Sequence, residues 1–310
     1  MLNSRKNLFS RVSALESALN VEALFSKAPT YEKENQTARL LRNGLSVVAF
    51  GILEDFIRTR TSEILEKISN HSTSFSKLPD RIQEASVVGA FNAMRFQLSL
   101  IDKIEDQVKF IQNESQLIHS TQTSNYQISQ YSFIADKPNL QSSDIEKTLF
   151  AFGVDKPWNS IGGIASLTGL LSLDLKQQFE DSLKKRNFSA HDANTDTEIT
   201  YLNSLLNTIV AICLGYDILI SESIKLIKQL KTKEINDRKI THKQIKFRFI
   251  EKNDEFWREI IKGGKRAITK NKDFQIVFDS AIVRSSKNAE VLIEKNSKGS
   301  PVKWFTPFVD

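Results

Sequence analysis

A chain of 310 residues, 40% of them hydrophobic, can bury one large core or two modest ones, and 11 glycines and 6 prolines are too few for a turn-rich all-β sandwich. A single cysteine, Cys213, excludes an intramolecular disulfide framework and points to a reducing, intracellular setting. Basic residues outnumber acidic ones 43 to 37, and residues 241–310 hold 15 basic and 9 acidic side chains, leaving 28 of each to residues 1–240; a basic appendage on a neutral body hints at a polyanionic partner.

The N-terminal "MLNSRKNLFSRVSALES" lacks the apolar core of a signal peptide, and no run reads as long enough to cross a bilayer, so a cytoplasmic protein without membrane contact is expected. Leu8, Val12, Leu15 and Leu19 form the stripe of an amphipathic helix within residues 8–28. A second, long helix carries Leu41, Leu45, Val48, Ile52 and Phe56 along one face. Residues 81–119 lack proline and are rich in helix formers, which predicts a third helix. A loop over 120–142 then leads to a short helix opened by a capping box of Ser143 and Glu146.

Gly162 and Gly163 in "SIGGIA" are read as a turn, and Gly263 and Gly264 as a hairpin-like connection. Leu171, Leu175, Phe179 and Leu183 predict a helix over about 170–186, and Thr195 with Glu198 a capping box opening the apolar helix that follows. Beyond about residue 233, "KQIKFRFIEK", "FQIVFDSAIV" and "EVLIEKN" read as short strands. The expectation is therefore a mainly α fold over 1–232 with a small, basic β-rich module over 233–310. Its aromatics (Phe247, Phe249, Trp257, Phe274, Trp304, Phe305) serve either as strand core or as a surface for RNA.

The four histidines lie far apart and no zinc spacing occurs, so no metal and no cofactor is expected. Asp192, Asp196 and Glu198 could gather magnesium, but they sit where acidic residues favour a helix start. No nucleophile elbow and no phosphate-binding glycine loop is present.

What remains is "KKRNFSAHD", in which Arg186 and Asn187 precede His191 at the junction of two helices. Two readings stay open. In one, Arg186 is a C-terminal helix cation and His191 a loop residue. In the other, the histidine takes the proton of an RNA 2′-hydroxyl while the arginine holds the phosphate. Five residues on an ideal helix stand about 140° apart, so the second reading calls for a bend at "NFSA". One histidine per chain cannot act as both base and acid, whereas a two-fold dimer supplies two.

Arg-Asn-x-x-x-His between two long helices resembles the motif of the HEPN superfamily of ribonucleases. The early "LRNGLSVVAFGILEDFIRTRT" is similar to its bacterial RiboL-PSP-HEPN subgroup. That resemblance implies an antiparallel helical bundle that dimerises through the Arg186–His191 region. It also implies metal-independent RNA cleavage leaving a 2′,3′-cyclic phosphate, in toxin–antitoxin or antiviral defence, where an antitoxin or defence-system protein would be a partner. His191 would be the acid/base, Arg186 the phosphate cation and Asn187 the residue ordering the pair, with Glu54, Lys185 and Asp192 as supporting candidates. Some relatives carry a tyrosine two positions after the histidine; here that position is Ala193. The alternative is a non-catalytic helical dimer that binds RNA, a nucleotide or a protein.

Overall fold

The computed structural model describes residues 3–71, 73–170, 174–192, 194–264 and 266–309. Its helices run in the order α1 (Asn3–Ala18), α2 (Glu32–Ser69), α3 (Asp80–Glu84), α4 (Ala90–Leu98), α5 (Ile104–Ser120), α6 (Ser142–Ala151), α7 (Pro157–Thr168), α8 (Leu175–His191), α9 (Ile199–Lys228) and α10 (Thr232–Asn236). Then come β1 (Phe247–Asn253), β2 (Phe256–Ile261), β3 (Thr269–Asn271), α11 (Phe274–Asn288), β4 (Val291–Lys295) and β5 (Pro301–Phe305). The fold is mainly α with a small C-terminal mixed sheet, as expected.

α9 is the axis of the molecule because it is apolar on every side, which only a surrounded helix can tolerate. α2 and α7 lie along it, α1 and α8 lean on α2, and Ile209, Ile212, Cys213, Tyr216 and Leu219 are fully buried between them. α9 is in fact long and apolar enough to span a bilayer, contrary to the expectation above, yet 83% of its most apolar stretch is buried inside the fold. It is a core helix.

At the centre of α9 sits a buried charged node. Asp217 accepts hydrogen bonds from Arg5 Nε of α1 at 2.6 Å, Arg60 Nε of α2 at 2.5 Å and Trp304 Nε1 of β5 at 2.6 Å. Arg5 also donates to Thr306, and Arg60 to Ser221. Burial by itself would push the Asp217 carboxyl up, but the two guanidinium groups and these donors outweigh it and hold the group well below the ordinary carboxylate range.

The sheet has the order β3-β2-β1-β4-β5, with β1 and β4 parallel and the other neighbours antiparallel. Strand alternation gives it two faces. Ile250 and Leu292 pack under Val277 and Ala281 of α11, while Phe247, Phe249, Val291, Ile293 and Trp304 join the helical core. One face of the sheet thus shares the core of the helices, while the other forms a smaller core of its own with α11.

Several sequence expectations are corrected. Residues 81–119 do not make one helix: a π-helical turn spans Ala85–Gly89 and the chain breaks between Leu98 and Ile104, where Glu105 and Asp106 mark a fresh helix start. "FQIVFDSAIV" is helical, not a strand; Asp273 caps it by accepting from Gln275 N, and Phe274, Val277, Phe278 and Ala281 repeat with helical spacing. Gly162 and Gly163 lie inside α7 rather than in a turn. A Cβ at Gly163 would stand 2.4 Å from the His242 ring, so glycine here permits close approach. The helix after the 120–142 loop is capped two residues early, at Gln141, with Asp144 accepting the Gln141 N–H at 2.8 Å in place of a Ser143–Glu146 box. On α2, Ile52 and Phe56 are buried, but Leu41 and Val48 are 43% and 56% exposed and Arg42, Asn43 and Ser46 turn inward instead. Leu171 lies outside the described residues.

Candidate active site

α8 begins where Asp174 accepts the Gln177 N–H, and it is anchored by Phe179, whose ring meets Phe50 of α2 at 5.4 Å and Trp158 of α7 at 5.7 Å. Two turns later come the motif residues, and the helix continues through His191 without a bend, Asp192 N closing on Phe188 O at 2.8 Å. The expected bend is absent for a local reason. Ser189, which could have competed for helical hydrogen bonds, is hydrogen-bonded instead to the Thr197 hydroxyl at 3.0 Å.

A straight helix sets the geometry. Arg186 stands about 140° around the axis from His191, while Asn187 and His191, four apart, share a face. Arg186 donates through Nη1 to Asn187 Oδ1 at 3.1 Å, and both are half-buried. His191 is exposed, as is Phe188 three residues earlier, at 60%. One copy of the chain therefore offers an exposed imidazole beside an exposed apolar ring, with the Arg186 guanidinium held by Asn187, which shares the face of His191.

The segment after His191 is held by α2. Arg42, only 4% exposed, donates Nε to Thr197 O at 2.7 Å, Nη1 to Leu24 O at 2.7 Å and Nη2 to Asp196 Oδ1 at 2.5 Å. Asn43 donates to Thr195 O at 2.7 Å and accepts from Thr197 N at 3.2 Å. These bonds occupy the backbone around Thr195, so the expected Thr195–Glu198 capping box does not form; α9 starts at Ile199, and Glu198 accepts from Thr200. Sequence reading missed Arg42 and Asn43. The signal was there, since two polar residues interrupt a run of leucines at positions that a helix buries.

The supporting candidates separate. Lys185 lies over the Tyr201 ring at 4.3 Å and lines a cavity of about 640 Å³ between α8 and α9, whose other walls include Gln178, Asp181, Gly169 and Ser300. Burial pushes the Tyr201 phenol up. Asp192 Oδ1 accepts from Asn194 N at 2.9 Å in the turn that leaves α8. Glu54 accepts the Leu140 N–H at 2.6 Å. It lies one turn beyond Phe50 on α2 and Arg186 two turns beyond Phe179 on α8, the helices running oppositely, which puts them roughly 16 Å apart. Asp192, Asp196 and Glu198 serve separate partners, and among the described residues no group of three or more His, Cys, Asp or Glu gathers to hold a metal.

The RiboL-PSP-HEPN family profile matches residues 6–222, from α1 through the first four-fifths of α9, with the Arg186–His191 helix inside it. The chain belongs to the RiboL-PSP-HEPN family. No curated protein and no solved structure matches it. HEPN proteins are generally ribonucleases, so family membership points to a nuclease-type function. The sheet over 247–305 lies outside the matched residues.

Proposed function

We propose that this RiboL-PSP-HEPN protein is a metal-independent endoribonuclease that works as a homodimer. The observation that carries the reading is the last turn and a half of α8, where Arg186, ordered by Asn187, precedes an exposed His191. Because one chain supplies a single motif histidine and the reaction uses both a base and an acid, the site is completed by a second copy docked about a two-fold axis through these helix ends. Leu41, Val48 and Phe188, exposed on α2 and α8, are apolar surface that such docking would cover.

In that cleft one His191 imidazole removes the proton from a ribose 2′-hydroxyl. The resulting oxygen attacks the adjacent phosphorus, and the 5′-oxygen leaves with a proton from the His191 of the second copy. Arg186 supplies a planar pair of N–H donors to the phosphate oxygens as negative charge builds on them. The products are a 2′,3′-cyclic phosphate and a 5′-hydroxyl. A cytoplasmic toxin or antiviral role, with an antitoxin or defence protein as a partner, is the setting we assign to this activity.

The test is cleavage of total RNA and of a labelled single strand in EDTA by wild type and His191→Ala, with product 3′ ends identified. Cyclic-phosphate ends that vanish in a variant of unchanged melting temperature support the reading. Intact RNA from a folded wild-type dimer overturns it. Equal RNA affinity of wild type and Arg186→Ala, with neither cleaving, would make the protein a binding dimer.

A further inference from the structure

Where the sheet meets the helical bundle, strand register gathers basic groups on one face. Phe247, Phe249 and Glu251 of β1 point the same way, and the pairing puts Lys262 beside Phe247 and Lys295 beside Glu251 on that face. Phe247 and Phe249 stack at 6.3 Å, with Lys262 Nζ 5.9 Å from the first ring and Lys295 Nζ 4.2 Å from the second. His242 closes the group from the segment before β1. Its ring lies against Gly163, and its Nδ1 is buried without a hydrogen-bond partner.

This arrangement is costly as it stands. Burial lowers the affinity of half-buried Lys295 for its proton, and the exposed Lys262 is lowered as well by its surroundings and by repulsion from Lys295. Burial also lowers His242, with Lys243 and Lys262 adding to it. The carboxylate acting on Lys295 is Glu251, which is already paired with Arg258 at 2.6 Å. Neither Lys262 nor Lys295 forms an ion pair among the described residues. Like charges converge where a counter-anion would relieve them.

The cluster also adjoins the cavity that Lys185 lines. Gly169 ends α7 with a left-handed backbone (φ +101°), lines that cavity, and lies against Lys295, whose Nζ is 3.6 Å from where a Cβ at residue 169 would stand. About 640 Å³ is the volume of a small-ligand pocket, enough for one or two nucleotides of a single strand. Hydroxyl and amide groups of Gln178, Tyr201, Ser204 and Thr208 line it, and Lys185 stands one residue before Arg186.

We infer that Lys262, Lys295 and His242 form a phosphate-binding site for the single-stranded RNA substrate, whose chain continues through the α8–α9 cavity past Lys185 toward the motif. The inference rests on the ribonuclease reading, and it gives the C-terminal sheet a part in holding substrate.

The probe is a fluorescent single-stranded 2′-O-methyl RNA, which lacks the attacking hydroxyl, so binding is read by anisotropy whether or not the protein cleaves. Lys262→Met/Lys295→Met keeps the apolar stems over the two rings and removes both charges. Two phosphate contacts on a single strand contribute a salt slope of about 1.4, so the double variant should bind about 25-fold more weakly at 0.1 M salt and show a slope shallower by about that amount. Lys109→Met/Lys287→Met, on α5 and α11, removes the same charge from elsewhere and should bind like wild type. Equal weakening of both double variants, no weakening of the first, or no binding by wild type overturns the inference. His191→Ala keeps the two readings apart, since loss of cleavage with unchanged binding of this probe leaves the phosphate site standing.

Discussion

Substituting Asp217 tests how the helices and the sheet are tied together. Asp217→Ala leaves Arg5 and Arg60 charged, fully buried and without the carboxylate that each now contacts at 2.5–2.6 Å. Removing one partner of a buried ion pair costs about 3–5 kcal/mol; here the carboxylate that two buried guanidinium groups share is lost, although Arg60 keeps Glu63 at 3.3 Å. With an unfolding entropy of about 2.1 cal/mol/K per residue over 310 residues, that cost corresponds to a fall in Tm of about 5 to 8 °C. Thermal melting followed by far-UV circular dichroism measures it. The carboxyl is held below its ordinary value of about 3.9, so its contribution is complete above about pH 5 and drains as pH falls through that range. The gap between wild type and Asp217→Asn should therefore narrow on acidification. Replacing the node as a unit, Arg5→Met/Arg60→Met/Asp217→Leu, should recover most of the loss. A Tm for Asp217→Ala within a degree of wild type would refute the reasoning.

Two further substitutions sort the groups around the motif. Arg42→Ala removes four hydrogen bonds, which fix Asp196 and Thr197 and the segment Leu24–Ser26 after α1, at a cost of about 2–4 kcal/mol. It should open residues 192–198 to protease and slow RNA cleavage at temperatures where the chain is still folded; an unchanged rate would show that the segment after His191 needs no anchoring. Glu54→Ala strips the Leu140 N–H of its acceptor, for about 1–2 kcal/mol, and should lower Tm while leaving cleavage per folded molecule unaltered. Lost activity at unchanged Tm would bring Glu54 into the site.

Legibility in the sequence followed the physics of each signal. α9 and the long α2 were visible because apolar content accumulates over many turns, and the motif on α8 because arginine, asparagine and histidine at that spacing have a chemistry of their own. Phe274, Val277, Phe278 and Ala281 were misread as a strand because a short β-branched and aromatic run fits either period, and the deciding residue is the cap Asp273. Arg42 and Asn43 escape a reading by periodicity because the leucines mark the other side of α2, whereas their partners at Thr195, Asp196 and Thr197 lie more than 150 residues away. The partnership of Lys262, Lys295 and His242 was likewise beyond reach, since it depends on strand register and on how closely α7 approaches the segment before β1.

The node at Asp217 also has a timetable. Trp304 follows Asp217 by 87 residues, and at translation rates of 5–20 residues per second it emerges about 4 to 17 s later. Until then Arg5, Arg60 and Asp217 have been made without the indole that completes their hydrogen bonding, and α9, the most apolar helix of the protein, lacks the cover of Trp304 and Ile293. The helix that carries Arg186 and His191 thus waits on β5 for its finished core, and a chain interrupted during synthesis would not hold a settled copy of that helix beside the ribosome.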